Sequence, residues 1–116
     1  MNYKYDYDDE SDILVIYQSE RKVKESLEVS ENIVVDLDKM DKINGIEIMD
    51  ASEFFGSFNS EINKKFLSEL DSAKIEYTSF RSQWILLVVL QSKGKRFSQP
   101  MPPLRKTEFT SPILAV

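Results

Sequence analysis

Asp36, Asp38 and Glu47 are the side chains whose types and spacing come nearest to a reaction site. The two aspartates alternate within V-V-D-L-D, and Glu47 stands between Ile46 and Ile48 in the next apolar stretch. If Val35 and Leu37 face a core, Asp36 and Asp38 share the opposite face. Facing strands bring side chains within about 5 Å of one another, so Glu47 could join them. Paired carboxylates do acid–base chemistry when burial drives their pKa values apart, and clustered ones hold magnesium or calcium. The activity would be that of a carboxylate- or metal-dependent hydrolase. Against it, the three can equally be wet-face residues or partners of basic side chains, and a small sheet offers little concavity.

A second acidic cluster is Asp6, Asp8, Asp9, Glu10 and Asp12. A calcium loop starting at Asp6 fails, because Ser11 stands where glycine is needed and Tyr17 where a bidentate glutamate is needed. A loop starting at Asp36 ends on Glu47 but has Met40 and Asp41 at its fifth and sixth positions, and fails too. No metal, cofactor or catalytic residue is therefore assigned.

Other chemistries are excluded by residue type. There is no cysteine, hence no disulfide, thiolate nucleophile or cysteine-held zinc. There is no histidine, the commonest general base near neutral pH. Gly45, Gly56 and Gly94 never cluster into a phosphate loop. The longest apolar run, residues 84–90, is far short of the roughly 20 residues that span a membrane, and no secretory leader is read before Asp6. The expectation is a soluble cytoplasmic protein without membrane contact.

Charge is divided unevenly. Residues 1–58 hold 15 acids and 6 bases, and residues 59–116 hold 5 acids and 9 bases. An acidic half of this kind can meet a basic surface on a partner protein, with steering that salt weakens. The bases Lys93, Lys95, Arg96, Arg105 and Lys106, with Trp84, Phe97 and Phe109 nearby, invite a reading as a single-stranded nucleic-acid binder. Five cations on a molecule of net charge -5 make a weak footprint, so nucleic acid is not the expected partner.

The elements that position these groups follow from hydrophobic pattern. At 116 residues and 41% apolar composition the chain is expected to form one folded domain with one modest core. Tyr3, Tyr5 and Tyr7 alternate as in a strand. Residues 13–17 are apolar on both faces, which suits a covered strand. Val23, Leu27 and Val29 mark a half-buried strand, and residues 33–37 and 43–49 form a hairpin around a polar loop. These five strands read as an antiparallel meander over residues 1–49. Gly45 within the last marks a bulge or a close backbone approach. Helices fill residues 50–72: Asp50 and Glu53 have capping-box spacing, and Ile62, Phe66, Leu67 and Leu70 define a longer helix over about 59–72. Residues 73–116 return to strand, with 84–90 apolar throughout and prolines at 100, 102 and 103 that cannot continue a ladder. The fold class is α+β: an antiparallel meander, a helical segment and a C-terminal β-segment.

The N-terminal half resembles domain-of-unknown-function family 2283, a group of small bacterial and archaeal proteins. The residues that carry the resemblance are Tyr5-Asp6, the run from Asp12 to Ile16, Val35 to Asp38, and G-I-E-I-M-D-A-S from Gly45 to Ser52. The last run is the most specific. The resemblance implies a small β-rich protein without an assigned reaction, and an antitoxin-like role for some members. It assigns no catalytic residue.

Two strands apolar on both faces need cover on two sides. Either the sheet folds into two layers, or a second chain supplies the cover. The leading expectation is a non-enzymatic interaction module that forms a homodimer through Trp84, Leu86, Val88, Leu90, Phe109, Ile113 and Leu114, with the acidic half free for a basic partner.

Overall fold

The computed structural model describes residues 3–18 and 22–107. Five strands form the first sheet: β1 (Tyr3–Asp8), β2 (Ile13–Gln18), β3 (Glu25–Glu28), β4 (Ile33–Leu37) and β5 (Ile43–Met49). Two short helices follow, α1 (Ala51–Gly56) and α2 (Lys64–Ser68). The second sheet holds β6 (Ser72–Phe80), β7 (Gln83–Ser92), β8 (Lys95–Pro100) and β9 (Leu104–Arg105). The architecture is mostly antiparallel β with two small helices, an α+β arrangement.

The first sheet is not a plain meander. Its order is β1-β2-β5-β4-β3, so β5 lies between β2 and β4. The order is that of a Greek key, with β3, β4 and β5 joined in sequence and β2 beside β5. Apolar content explains it. Strands β2, β4 and β5 are the most apolar and take the centre, whereas β3 reads E-S-L-E and suits an edge. A meander would have left β5 on the rim and β3 beside β2.

In the second sheet β7 is central. It pairs with β6 along its length, and on the other side with β8 and then β9. The prolines interrupt that side between β8 and β9, where Met101 N still donates to Leu86 O at 2.9 Å. Lys93 and Gly94 both have positive φ, 47° and 81°, which is the backbone of a tight hairpin turn.

The two sheets share one core. Leu14, Ile16, Val35, Ile46 and Ile48 come from the first, and Ile75, Trp84, Leu86, Val88 and Leu90 from the second. Ala51, Phe55, Ile62 and Leu67 add the helical segment. Tyr5 fastens the first strand by donating its hydroxyl to Leu70 O at 2.6 Å, and the Tyr77 hydroxyl accepts from Ile43 N at 3.1 Å. Of the two solutions to strands apolar on both faces, the fold into two layers covers the inner sides.

The helical segment is shorter than its periodicity predicts. Ile62 and Leu70 are buried as expected, but helix α2 spans only Lys64–Ser68. Asn59 and Asn63 account for this. Asn59 Oδ1 accepts from Glu61 N at 3.0 Å, and Asn63 Oδ1 accepts from Phe66 N at 2.9 Å. Such local bonds compete with the helix and place its start at Asn63. At the far end Asp71 N already donates to Gln91 O, which begins the sheet. The capping box at Asp50 does not form either. Asp50 has φ of 52° and makes no side-chain cap bond.

Candidate functional site

The cap that Asp50 does not supply comes from Asp12, at the turn between β1 and β2. Asp12 is 8% exposed and has φ of 58°. Its carboxylate accepts from Ser52 N at 3.0 and 3.2 Å, from Ser52 Oγ at 2.7 Å, and from the Tyr7 hydroxyl at 2.6 Å. Its carbonyl accepts from Ala51 N. Burial pushes the Asp12 carboxyl up, but the bonds from Tyr7 and Ser52, helped by the charge of Lys64, outweigh it and hold the group below the ordinary carboxylate range. Burial, then the bond to Asp12, pushes the Tyr7 hydroxyl well above its usual value. A carboxylate with so little affinity for a proton is a poor base. The serine beside it is held as a donor, so the trio fastens α1 to the first sheet.

The three sequence candidates do not assemble. Asp36 lies on the outer face of β4 and accepts from Ser26 Oγ at 2.5 Å. Glu47 lies on the same face of β5, opposite Val34. Asp38 has left that face. The register shifts between Asp36 and Leu37, the strand ends at Leu37, and Asp38 turns into its own loop. There its Oδ1 accepts from Met40 N at 2.8 Å and Lys42 N at 3.0 Å. Among the described residues no group of three acidic side chains is placed to hold a metal ion.

The interaction candidates of β7 face inward. Trp84 and Leu86 are each 2% exposed, and Val88 and Leu90 are fully buried. They are core, and cannot touch a second chain in this fold. The alternation of the strand puts Ile85, 47% exposed, and half-buried Leu87 on its outer side. Phe109, Ile113 and Leu114 lie outside the described residues.

Asp36 and Glu47 instead belong to a broad surface, the side of the first sheet turned away from the core. Cross-strand register sets out its rows. One runs Asp8, Ile13, Met49. The next runs Asp6, Val15, Glu47, Val34, Glu28, and the third Lys4, Tyr17, Gly45, Asp36, Ser26. Ile13, Val15, Tyr17, Val34 and Met49 are half-buried and stand apart from the core cluster. On the central strand Glu47 is flanked by Val15 and Val34, so aliphatic and acidic side chains interleave, and Lys4 is the one base among five acids. Gly45 lies in the third row, where the backbone passes close to β2. A Cβ there would lie 2.9 Å from Ile16 O and 3.0 Å from Tyr17 Cβ. This is the close approach that the glycine predicts.

The basic C-terminal residues do not form one patch. Lys93 pairs with Glu69, and Lys95 with Glu61 at 3.1 Å. The Lys106 ammonium lies 5.7 Å from the centre of the Trp84 ring. No helix among the described residues is long and apolar enough to cross a membrane.

Two relatives stand out by sequence. A protein of Methanosarcina mazei named "Putative hypoxanthine phosphoribosyltransferase" is 28% identical over 111 residues, 95% of this chain and 86% of the relative. An uncharacterised protein of Methanocaldococcus jannaschii is 34% identical over 67 residues, 58% of this chain and 57% of the relative. No solved structure matches the chain. Residues 4–52, the segment that builds most of the first sheet and holds the Asp12–Ser52 lock, match the family model described as a protein of unknown function, DUF2283.

Proposed function

We propose that this chain is a non-enzymatic protein-interaction module that offers the outer face of its first sheet to a basic protein surface. The observation that carries the reading is the face itself, where Ile13, Val15, Val34 and Met49 interleave with Asp6, Asp8, Glu28, Asp36 and Glu47. Apolar area supplies affinity, and the carboxylates set among it select a cationic partner and repel acidic ones. An acidic protein that holds a small basic toxic one would use such a surface, which is the antitoxin-like role. Like charge disfavours this face for pairing with itself. Self-association falls to the outer side of β7 around Ile85 and Leu87.

The test uses the full chain as bait in its native cell extract, beside a Glu47→Lys/Asp36→Lys variant. Capture of a basic protein by the parent, lost in the variant and weakened by added salt, is the expected result. Equal capture by both removes this face from the reading. Light scattering across a dilution series tests self-association, and a monomer at micromolar concentration removes it. The name of the Methanosarcina relative supplies a direct check on the non-enzymatic part. Steady release of pyrophosphate from phosphoribosyl pyrophosphate and hypoxanthine would overturn it.

A further inference from the structure

Four of the six bases in the acidic half, Lys22, Lys24, Lys39 and Lys42, line a single cleft. Its volume is about 740 Å³, and Val23, Asp38 and Met40 complete the wall. The cleft lies between the segment that enters β3 and the loop joining β4 to β5. Both walls are fixed. Lys24 N donates to Leu37 O at 2.7 Å, Asp38 N to Lys42 O at 2.9 Å and Asp41 N to Asp38 O at 2.9 Å. The Asp38 carboxylate is drawn into the loop by the amides of Met40 and Lys42, which leaves the side chains of residues 39, 40 and 42 turned outward. Lys24 meets Asp41 at 3.3 Å. Lys22, Lys39 and Lys42 make no ion pair with a described residue. Gathered like charges repel, and an anion in the cleft would relieve that. Two exposed apolar side chains stand at the same place, Met40 at 70% and Val23 at 48%. They suit a ligand with a flat apolar part.

We propose that this cleft binds a nucleoside polyphosphate, its phosphates on the lysines and its base along Met40 and Val23. Ammonium groups recognise phosphate as point charges, and the volume fits the range of roughly 300–1,000 Å³ for small-molecule sites. The proposal is independent of the sheet face above, which shares none of these residues.

Calorimetric titration of the full chain at low salt tests it, with ATP, inorganic tripolyphosphate and a ten-residue oligothymidylate as probes. ATP is expected to bind several-fold tighter than tripolyphosphate. Lys39→Gln/Lys42→Gln should weaken both by about tenfold or more, while Met40→Ala should narrow the gap between them. Glu47→Lys/Asp36→Lys should leave ATP affinity unchanged. Lys39, Met40 and Lys42 are exposed, so their substitution permits folding, and thermal denaturation verifies it for every variant. Failure of ATP to bind at about 1 mM, or a lysine double variant that binds it as tightly as the parent, overturns the proposal. Tighter binding of the oligothymidylate than of ATP also overturns it, in favour of a nucleic-acid strand.

Discussion

Asp12 carries more of the structure than its place in a polar turn announces. Its removal would strand the Ser52 amide and the Tyr7 hydroxyl, and an unsatisfied buried group costs about 1–3 kcal/mol. Asp12→Ala is expected to lower stability by about that amount, read from urea denaturation. The same group fixes an acid response. Its carboxyl lies below the ordinary range when folded, so the unfolded chain takes up the proton first as pH falls. Its contribution is complete above about pH 4 and fades below that, through the folded value. Asp12→Asn should therefore lose less stability between pH 5 and pH 2 than the parent does, as thermal midpoints would report. Gly45→Ala is the second sensitive site. The added methyl meets backbone at Ile16, and overpacking of this kind costs about 1–3 kcal/mol. The glycine was legible, because a glycine inside an apolar strand has few other reasons to be there. The Asp12–Ser52 lock was not. Both residues stand in the runs that carry the family resemblance, but they are 40 positions apart. Spacing along the chain cannot reveal a cap that arrives through space.

The elements were legible in kind and less so in extent. Alternation marked the strands, and the spacing of Ile62, Phe66 and Leu70 marked residues that do turn inward. That spacing overstated the helix, because Asn59 and Asn63 spend their side chains on backbone amides. Asn63→Ala should cost about 1 kcal/mol through loss of the cap, measured by denaturation. Asn59→Ala removes only a turn bond and should cost less. Strand order was out of reach of pattern alone. The pairing of β2 with β5 joins segments that the whole β3–β4 excursion separates, and periodicity is a local signal. The rule that would have found it is a comparison of strands: the most polar belongs on the rim. The same limit affected the carboxylates. Asp36 and Asp38 share a face only while the strand continues, and it ends between them.

At the scale of the molecule, the uneven charge became a distribution over surfaces. Asp6, Asp8, Glu28, Asp36 and Glu47 share the outer face of the first sheet, four lysines gather in one cleft, and Lys93 and Lys95 meet Glu69 and Glu61 of the helical segment. None of this is visible in net charge. It depends on which residues share a sheet face, and so on register. Reversing Glu47 and Asp36 together should change stability by no more than about 0.5 kcal/mol, because both are on the surface. A large loss in denaturation would mean that the face is covered within the fold. One further feature bears on how the protein survives in a crowded solution. Pro100, Pro102 and Pro103 lie along a rim of the second sheet and offer no N–H to an arriving strand. That border is a poor template for fibril growth, and replacing the three prolines with hydrogen-bonding residues would turn a blunt margin into a sticky one.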